Sequence, residues 1–218
     1  MVTAERPDTE REQSFSQLLG GRRAALDATL PPVAFVAGWL AGGSVALAAT
    51  VALAVGAVLA VWRWRRGARP RAVLLGLLAV VVAALIALWT GRAADFFLVQ
   101  IFSNAASALG WMVSIALRWP LLGIVVGVAL RQRGAWRHDP ALLRAYHLGS
   151  WVWVCQYLLR ISVFLPLWAA GQVVALGAAR IALSWPLVAA SLAVSWWVVR
   201  RAVPGDHPGL RHPRPDAS

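Results

Sequence analysis

The chain has no lysine, although it carries 21 basic residues against nine acidic ones. Every positive side chain is therefore an arginine. Beside abundant alanine, glycine and valine, this points to the codon bias of a high-G+C genome rather than to a particular chemistry. Cys155 is the one cysteine, so neither a disulfide nor a thiolate metal site can be assembled within one chain. The histidines His138, His147, His207 and His212 stand in loops and the tail without an acidic cluster beside them. No metal site and no cofactor is read from them. Beyond the N-terminal segment the only acids are Asp95, Asp139, Asp206 and Asp216, which form no paired-carboxylate site. No nucleophile shares a helix face with a histidine, and no glycine-rich phosphate loop follows a strand. The expectation is a protein that is not an enzyme.

What the chain does have is long uncharged runs. It is 60% hydrophobic and 14% charged, where soluble domains are about 45–50% apolar and about 25% charged. Leu30–Trp62 and Ala72–Gly91 contain no charge at all. Such runs argue for membrane helices rather than a soluble core. The fold class expected is all-α: a polytopic integral membrane helix bundle of about six membrane helices with interfacial helices. The lipid bilayer is its first partner. A net charge of +12 suggests nucleic acid in a soluble protein, but these arginines flank apolar blocks as topology signals do. Nucleic acid is not expected as a partner.

Along the chain, 1–13 read as a disordered cytoplasmic tail. In 14–29, Phe15, Leu18, Leu19 and Leu26 stand among Arg22, Arg23 and Asp27. That pattern fits an amphipathic interfacial helix, the alternative being a solvated linker. About thirty mostly polar residues precede the first apolar run, unlike a cleavable signal peptide. The membrane domain, 30–202, holds spans at about 31–41, 45–62, 72–90, 96–117, 146–168 and 181–199. Only twelve residues separate Arg118 from Arg131, too few to cross, so 119–130 is read as interfacial or re-entrant. Asp139-Pro140 is a helix start, a cap followed by proline in the first turn. The Pro- and Gly-rich 203–218 read as a second disordered tail. With the N-terminus inside, eighteen arginines fall inside, Arg92 and Arg180 fall outside, and Arg160 lies within the fifth span. The positive-inside rule then puts both termini in the cytoplasm, in a bacterial cytoplasmic membrane.

Two spans have polar stripes. At 100° per residue, Gln100, Ser103, Asn104, Ser107, Gly110, Trp111 and Ser114 share one face of the fourth span. Ile101, Phe102, Ala105, Leu109, Met112 and Val113 occupy the other. In the fifth span Tyr146, Gly149, Ser150, Trp153, Gln156, Tyr157, Arg160 and Phe164 line up. At 1.5 Å per residue, Asn104 and Arg160 lie at similar depth, roughly 12–16 Å from the outer ends. An arginine facing lipid there costs at least about 2.5 kcal/mol, so Arg160 is expected to face the bundle and find partners. Asn104 and Gln100 are the nearest candidates, and Asp95 is the acid placed to serve as counter-ion. Two readings stand. Asp95, Gln100, Asn104, Ser107, Gln156, Tyr157 and Arg160 line a polar cavity for an anionic solute or lipid headgroup. Alternatively, the polar groups are interhelical glue, at about 0.6 kcal/mol per hydrogen bond on average.

The word IALRWPL at Ile115–Leu121 returns sixty-six residues later as IALSWPL at Ile181–Leu187. It reads either as the trace of a duplication or as punctuation, with tryptophan at the headgroup level and proline opening a helix. Gly38/Gly42 and Gly123/Gly127 are G-x-x-x-G pairs that let helices approach closely.

The phrases SFSQLLGGRRAALDATLP, TGRAADFF followed by Asn104, RWPLLG, AWRHDPALLRAY and LPLWAAGQVVALGAARIALSWPL resemble the bacterial membrane family called domain of unknown function 3159 (DUF3159), over about residues 14–200. The resemblance implies a multi-pass architecture typical of high-G+C Gram-positive bacteria and brings no established activity or functional residues. In layout the chain is also similar to the intracellular septation protein A family, with a short first helix, a basic second–third loop and a polar loop before the last two spans. That similarity implies a part in envelope synthesis or division. Two functions are thus expected. One is a non-catalytic envelope- or division-associated membrane protein with a membrane-protein partner or a second copy of itself. The other is a small transporter, channel or lipid-handling protein built around Arg160.

Overall fold

The computed structural model describes residues 21–67, 70–132, 134–205, 207–210 and 213–214. The tail read over 1–13 and the first part of the stretch 14–29 lie outside the described residues. Among the described residues there are eight α-helices and no strand. They are α1 Gly21–Gly42, α2 Val45–Arg65, α3 Pro70–Thr90, α4 Leu98–Ala116, α5 Leu121–Ala129, α6 Pro140–Ala169, α7 Val173–Ala182 and α8 Trp185–Ala202. The fold is a helical membrane bundle. Five stretches are long and apolar enough to cross a membrane, Val45–Arg65, Val73–Thr90, Ala93–Ala116, Pro140–Ala169 and Val173–Ala202, while Thr29–Gly42 is apolar but shorter. The chain forms two compact units, Met1–Phe96 and Phe97–Ser218.

In the first unit, α1 runs straight through Pro31 and Pro32, where the sequence suggests a new helix beginning. Proline's fixed φ near −65° is itself helical, so the helix continues with the loss of two N–H donors. Gly43, at φ +61°, turns the chain, and the Ser44 hydroxyl accepts the Leu47 N–H at 3.2 Å to cap α2. The two helices then touch: a Cβ on Gly38 would lie 2.9 Å from the Ala48 Cα. α2 buries Ala48, Ala49, Ala52 and Gly56, and α3 buries Ala83, Ala84 and Ala87. Their large residues, Val58, Leu74, Leu75, Leu85 and Trp89 among them, face outward. Small inside and large outside is the reverse of a water-soluble core and matches helices that pack in lipid.

The second unit is organised by α6, 30 residues and about 45 Å long, against which α4, α5, α7 and α8 all pack. It begins six residues before the hydropathy pattern places the span. Asp139 accepts the N–H groups of Ala141 and Leu142 at 3.1 and 3.2 Å, and Pro140 follows in the first turn, so the cap sets the start. The segment between the last two spans, which the hydropathy pattern leaves as a connection, is the helix α7. At nine residues α5 rises about 14 Å, less than half of the ~30 Å hydrocarbon core.

The repeated word lies at the same kind of place twice. In the first copy α4 ends with Arg118 left-handed at φ +56°. Trp119 N–H donates to Ser114 O at 2.9 Å and Arg118 N–H to Ile115 O at 3.0 Å, a Schellman ending, before Pro120 leads into α5. In the second copy α7 ends at Ala182, the Ser184 hydroxyl donates to Ile181 O at 2.6 Å, and Trp185-Pro186 opens α8. Both copies close one helix and open the next. The conformation at the variable position differs, φ +56° at Arg118 and −80° at Ser184, which supports punctuation.

Candidate functional site

Trp153, Tyr157 and Arg160 follow one another at four- and three-residue steps along one side of α6, as Gln100, Asn104, Ser107 and Trp111 do along α4. Trp111 stacks on Trp153, ring centroids 5.3 Å apart and nearly parallel. Asn104 precedes Trp111 by seven residues and Arg160 follows Trp153 by seven. In this antiparallel pair the stack therefore brings Asn104 and Arg160 to one level.

Two sets of polar contacts lie at that level. The Arg180 guanidinium on α7 donates to the Gln100 side-chain oxygen, and the Gln100 amide donates to the Asn104 oxygen at 3.2 Å. Arg160 donates through Nη2 to the Ser184 carbonyl at 3.3 Å, and its guanidinium carbon lies 5.7 Å from the centre of the Tyr157 ring. Three buried donors, Asn104 Nδ2, Arg160 Nε and Trp153 Nε1, have no acceptor. No carboxylate among the described residues pairs with Arg160.

The residues singled out by the sequence thus fall into three groups. Gln100, Asn104, Tyr157 and Arg160 belong to the cluster, with Ser107 half-buried on the same face. Gln156 faces α8 instead: its side-chain oxygen accepts from the Ser191 hydroxyl at 3.0 Å, and one turn-pair away the Ser195 hydroxyl donates to Gly149 O at 3.2 Å. These are packing contacts. Asp95 is buried in the first unit, 3.9 Å from an Arg92 nitrogen. Gln100, read as a partner for Arg160, is bonded to Arg180. Arg180 itself is the member that hydropathy reading misses by assigning it to an outer loop. A signal existed: Val173, Leu176 and Gly177 are the buried face of α7, and Arg180 repeats that spacing.

Residues 19–206 match the family described as Protein of unknown function (DUF3159). The chain belongs to the DUF3159 family. No curated protein and no solved structure matches it.

At the other end of α6 this DUF3159 chain builds a second polar centre. Asp139, 2% exposed, accepts from the His207 ring at 2.7 Å and from the Arg214 N–H at 2.8 Å, besides capping α6. The Gln132 amide donates to the Leu210 carbonyl, and Val203 and Leu210 pack on Trp136, Leu142 and Tyr146. The described part of 203–218, read from its composition as disordered, is thus held against the bundle. Its partner Asp139 lies 68 residues before His207, beyond the reach of any local pattern. Burial alone would push the Asp139 carboxyl up. The hydrogen bonds from Arg214, His207 and Leu142 overcome this and hold it below its ordinary 3.8. A carboxyl depressed in the folded state stabilises above its unfolded pKa, and the effect is lost as pH falls through the folded value. Lowering the pH to about 4 is therefore expected to leave the tail docked, with pepsin cleavage near Leu210 appearing only below the unfolded carboxyl range. Cleavage near Leu210 that is already under way at about pH 4 to 5 would contradict this.

Proposed function

We propose that the chain is a non-catalytic, multi-pass protein of the bacterial cytoplasmic membrane that holds an anionic group, a lipid headgroup or small solute, at the Arg160 cluster, as a small transporter, channel or lipid-handling protein does. The observation that supports it is Arg160. An arginine within a span marks a functional site by default because of what its burial costs. Here its satisfaction is one carbonyl and an aromatic face, with Arg180 nearby and donors in excess of acceptors. An anion is the group that such a set lacks. The α6–α8 contacts of Gln156 and Gly149 fit the glue reading, and the Arg160 level does not.

The orientation draws support from the same unit. Arg118, Arg131, Arg137, Arg144, Arg200 and Arg201 all belong to the end where α4 and α8 finish and α6 begins, which the positive-inside rule assigns to the cytoplasm. A place beside envelope or division machinery, with a protein partner or a second copy, rests on the layout similarity.

The test replaces Cys155 by alanine and introduces one cysteine at half-buried Ser107 or at Leu109, which is 58% exposed on the opposite face. A membrane-impermeant thiol reagent is applied to intact cells. Labelling at 107 and none at 109 is expected. Silence at both would leave a dry interface and end the anion-site reading.

A further inference from the structure

The sequence assigns Gly123 and Gly127 to helix packing, and the structure gives them another occupant. The Trp136 indole lies across both: a Cβ would meet it at 2.8 Å on Gly123 and at 2.5 Å on Gly127. Trp136 itself is 2% exposed and meets Tyr146 edge-on at 5.5 Å. Beside it opens a recess of about 610 Å³, lined by Trp119, Ile124, Val128 and Trp136, with Arg131 and Arg137 among its walls.

The two arginines are unusually uncommitted. Arg137 lies over Trp119, its guanidinium carbon 3.8 Å from the ring centre, and its buried Nε has no acceptor. Arg131 stands left-handed at the end of α5, and no carboxylate among the described residues pairs with either. The apolar side of the recess continues onto the outer face of α5, where Val125 and Val128 are 61% and 75% exposed. α5 is too short to cross. Cations therefore stand next to an open aliphatic surface at a helix suited to the level where headgroups meet acyl chains.

We propose that this recess binds a phospholipid of net negative charge, its phosphate on Arg131 and Arg137 and its acyl chain along Val125 and Val128. Guanidinium groups take phosphate in a forked geometry, and basic pockets between membrane helices take anionic headgroups. A free phosphate leaves the apolar walls unmatched. The site is independent of the Arg160 cluster, which lies about 30 Å along α6 from its start at Pro140.

The purified protein is exchanged into detergent with phosphatidylglycerol or phosphatidylcholine, and retained lipid is counted by native mass spectrometry. Wild type is expected to retain phosphatidylglycerol in preference to phosphatidylcholine. The double variant Arg131→Gln/Arg137→Gln is expected to lose that preference, on the order of thirtyfold for two charges. Arg200→Gln/Arg201→Gln removes as much charge from the same end without touching the recess and is expected to retain it. Circular dichroism and gel filtration confirm that each variant folds, and Arg131→Gln alone, with an expected loss of about fivefold, stands in if the double variant does not. Equal retention of both lipids, equal loss in the Arg200/Arg201 control, or displacement of lipid by millimolar inorganic phosphate would each overturn the proposal.

Discussion

Asp139→Ala is expected to lower the unfolding free energy by roughly 2–4 kcal/mol and to release the C-terminal segment. The carboxylate serves two structures at once. Through Oδ1 it caps the first turn of α6, a function that alanine abolishes at a cost of about 0.5–2 kcal/mol. Through Oδ2 it accepts from the His207 ring and the Arg214 N–H. The His207 ring, 3% exposed, sits where water replaces a lost acceptor poorly, which adds about 1–3 kcal/mol. The readout is thermal unfolding in detergent together with protease cleavage beyond Pro204. Asp139→Asn keeps a good cap but loses the charge, so it should fall between the two. An alanine variant with wild-type melting and an uncut tail would show that the tail is held by its apolar contacts alone.

The second large effect is expected at Gly149, where α6 meets both α5 and α8. A Cβ there would lie 2.4 Å from Leu122 Cδ2 and 2.8 Å from Val199 Cγ2. Leu122 has flexible reach and can yield. Val199 is branched at Cβ and 4% exposed, so it yields less. Gly149→Ala is therefore expected to be mildly destabilising, and Gly149→Leu to cost about 3 kcal/mol by prising α8 away. The same leucine breaks the bond from Ser195 to the Gly149 carbonyl. Gly110→Leu is the control, since nothing lies within 4 Å of a Cβ at that position. Melting temperatures in detergent decide it: if Gly149→Leu and Gly110→Leu melt together, the close approach at Gly149 is not limiting.

Particular residues show what the sequence could and could not disclose. The polar face of α6 and most of that of α4 were legible because 100° periodicity acts within one helix, although Ser103 and Gly110, assigned to the polar face of α4, are exposed. Phe102, Leu109 and Val113 are indeed exposed, and Asn104 is buried. Ile101, on the same apolar side, is 8% exposed, because an arc drawn from residue type says nothing about which neighbour arrives. The cap at Asp139 was legible too, since a cap is a contact across three residues. Arg180 was not, because a ten-residue helix with a charge near its end scores as a loop in a hydropathy window. The pairing of Gln100 with Arg180 spans 80 residues, and the strap from His207 to Asp139 spans 68. Both depend on how helices are laid side by side, which no local period encodes. Trp136 on Gly123 and Gly127 teaches the same lesson in miniature: the pair of glycines announced a close neighbour correctly and left open whether it would be a helix or a ring.

Arg118 and Arg131 hold left-handed backbone positions that glycine would fill without strain, and each arginine keeps about 1 kcal/mol or more of conformational cost in place. A selection for heat resistance in detergent registers only the folded molecule, and it would favour glycine at both sites. Biosynthesis registers something else, since the charge beside a nascent hydrophobic segment steers which way that segment threads. The two positions are therefore ones at which the insertion machinery and the finished protein rank the same substitution in opposite order. A variant optimised in the test tube would carry a weaker address into the cell.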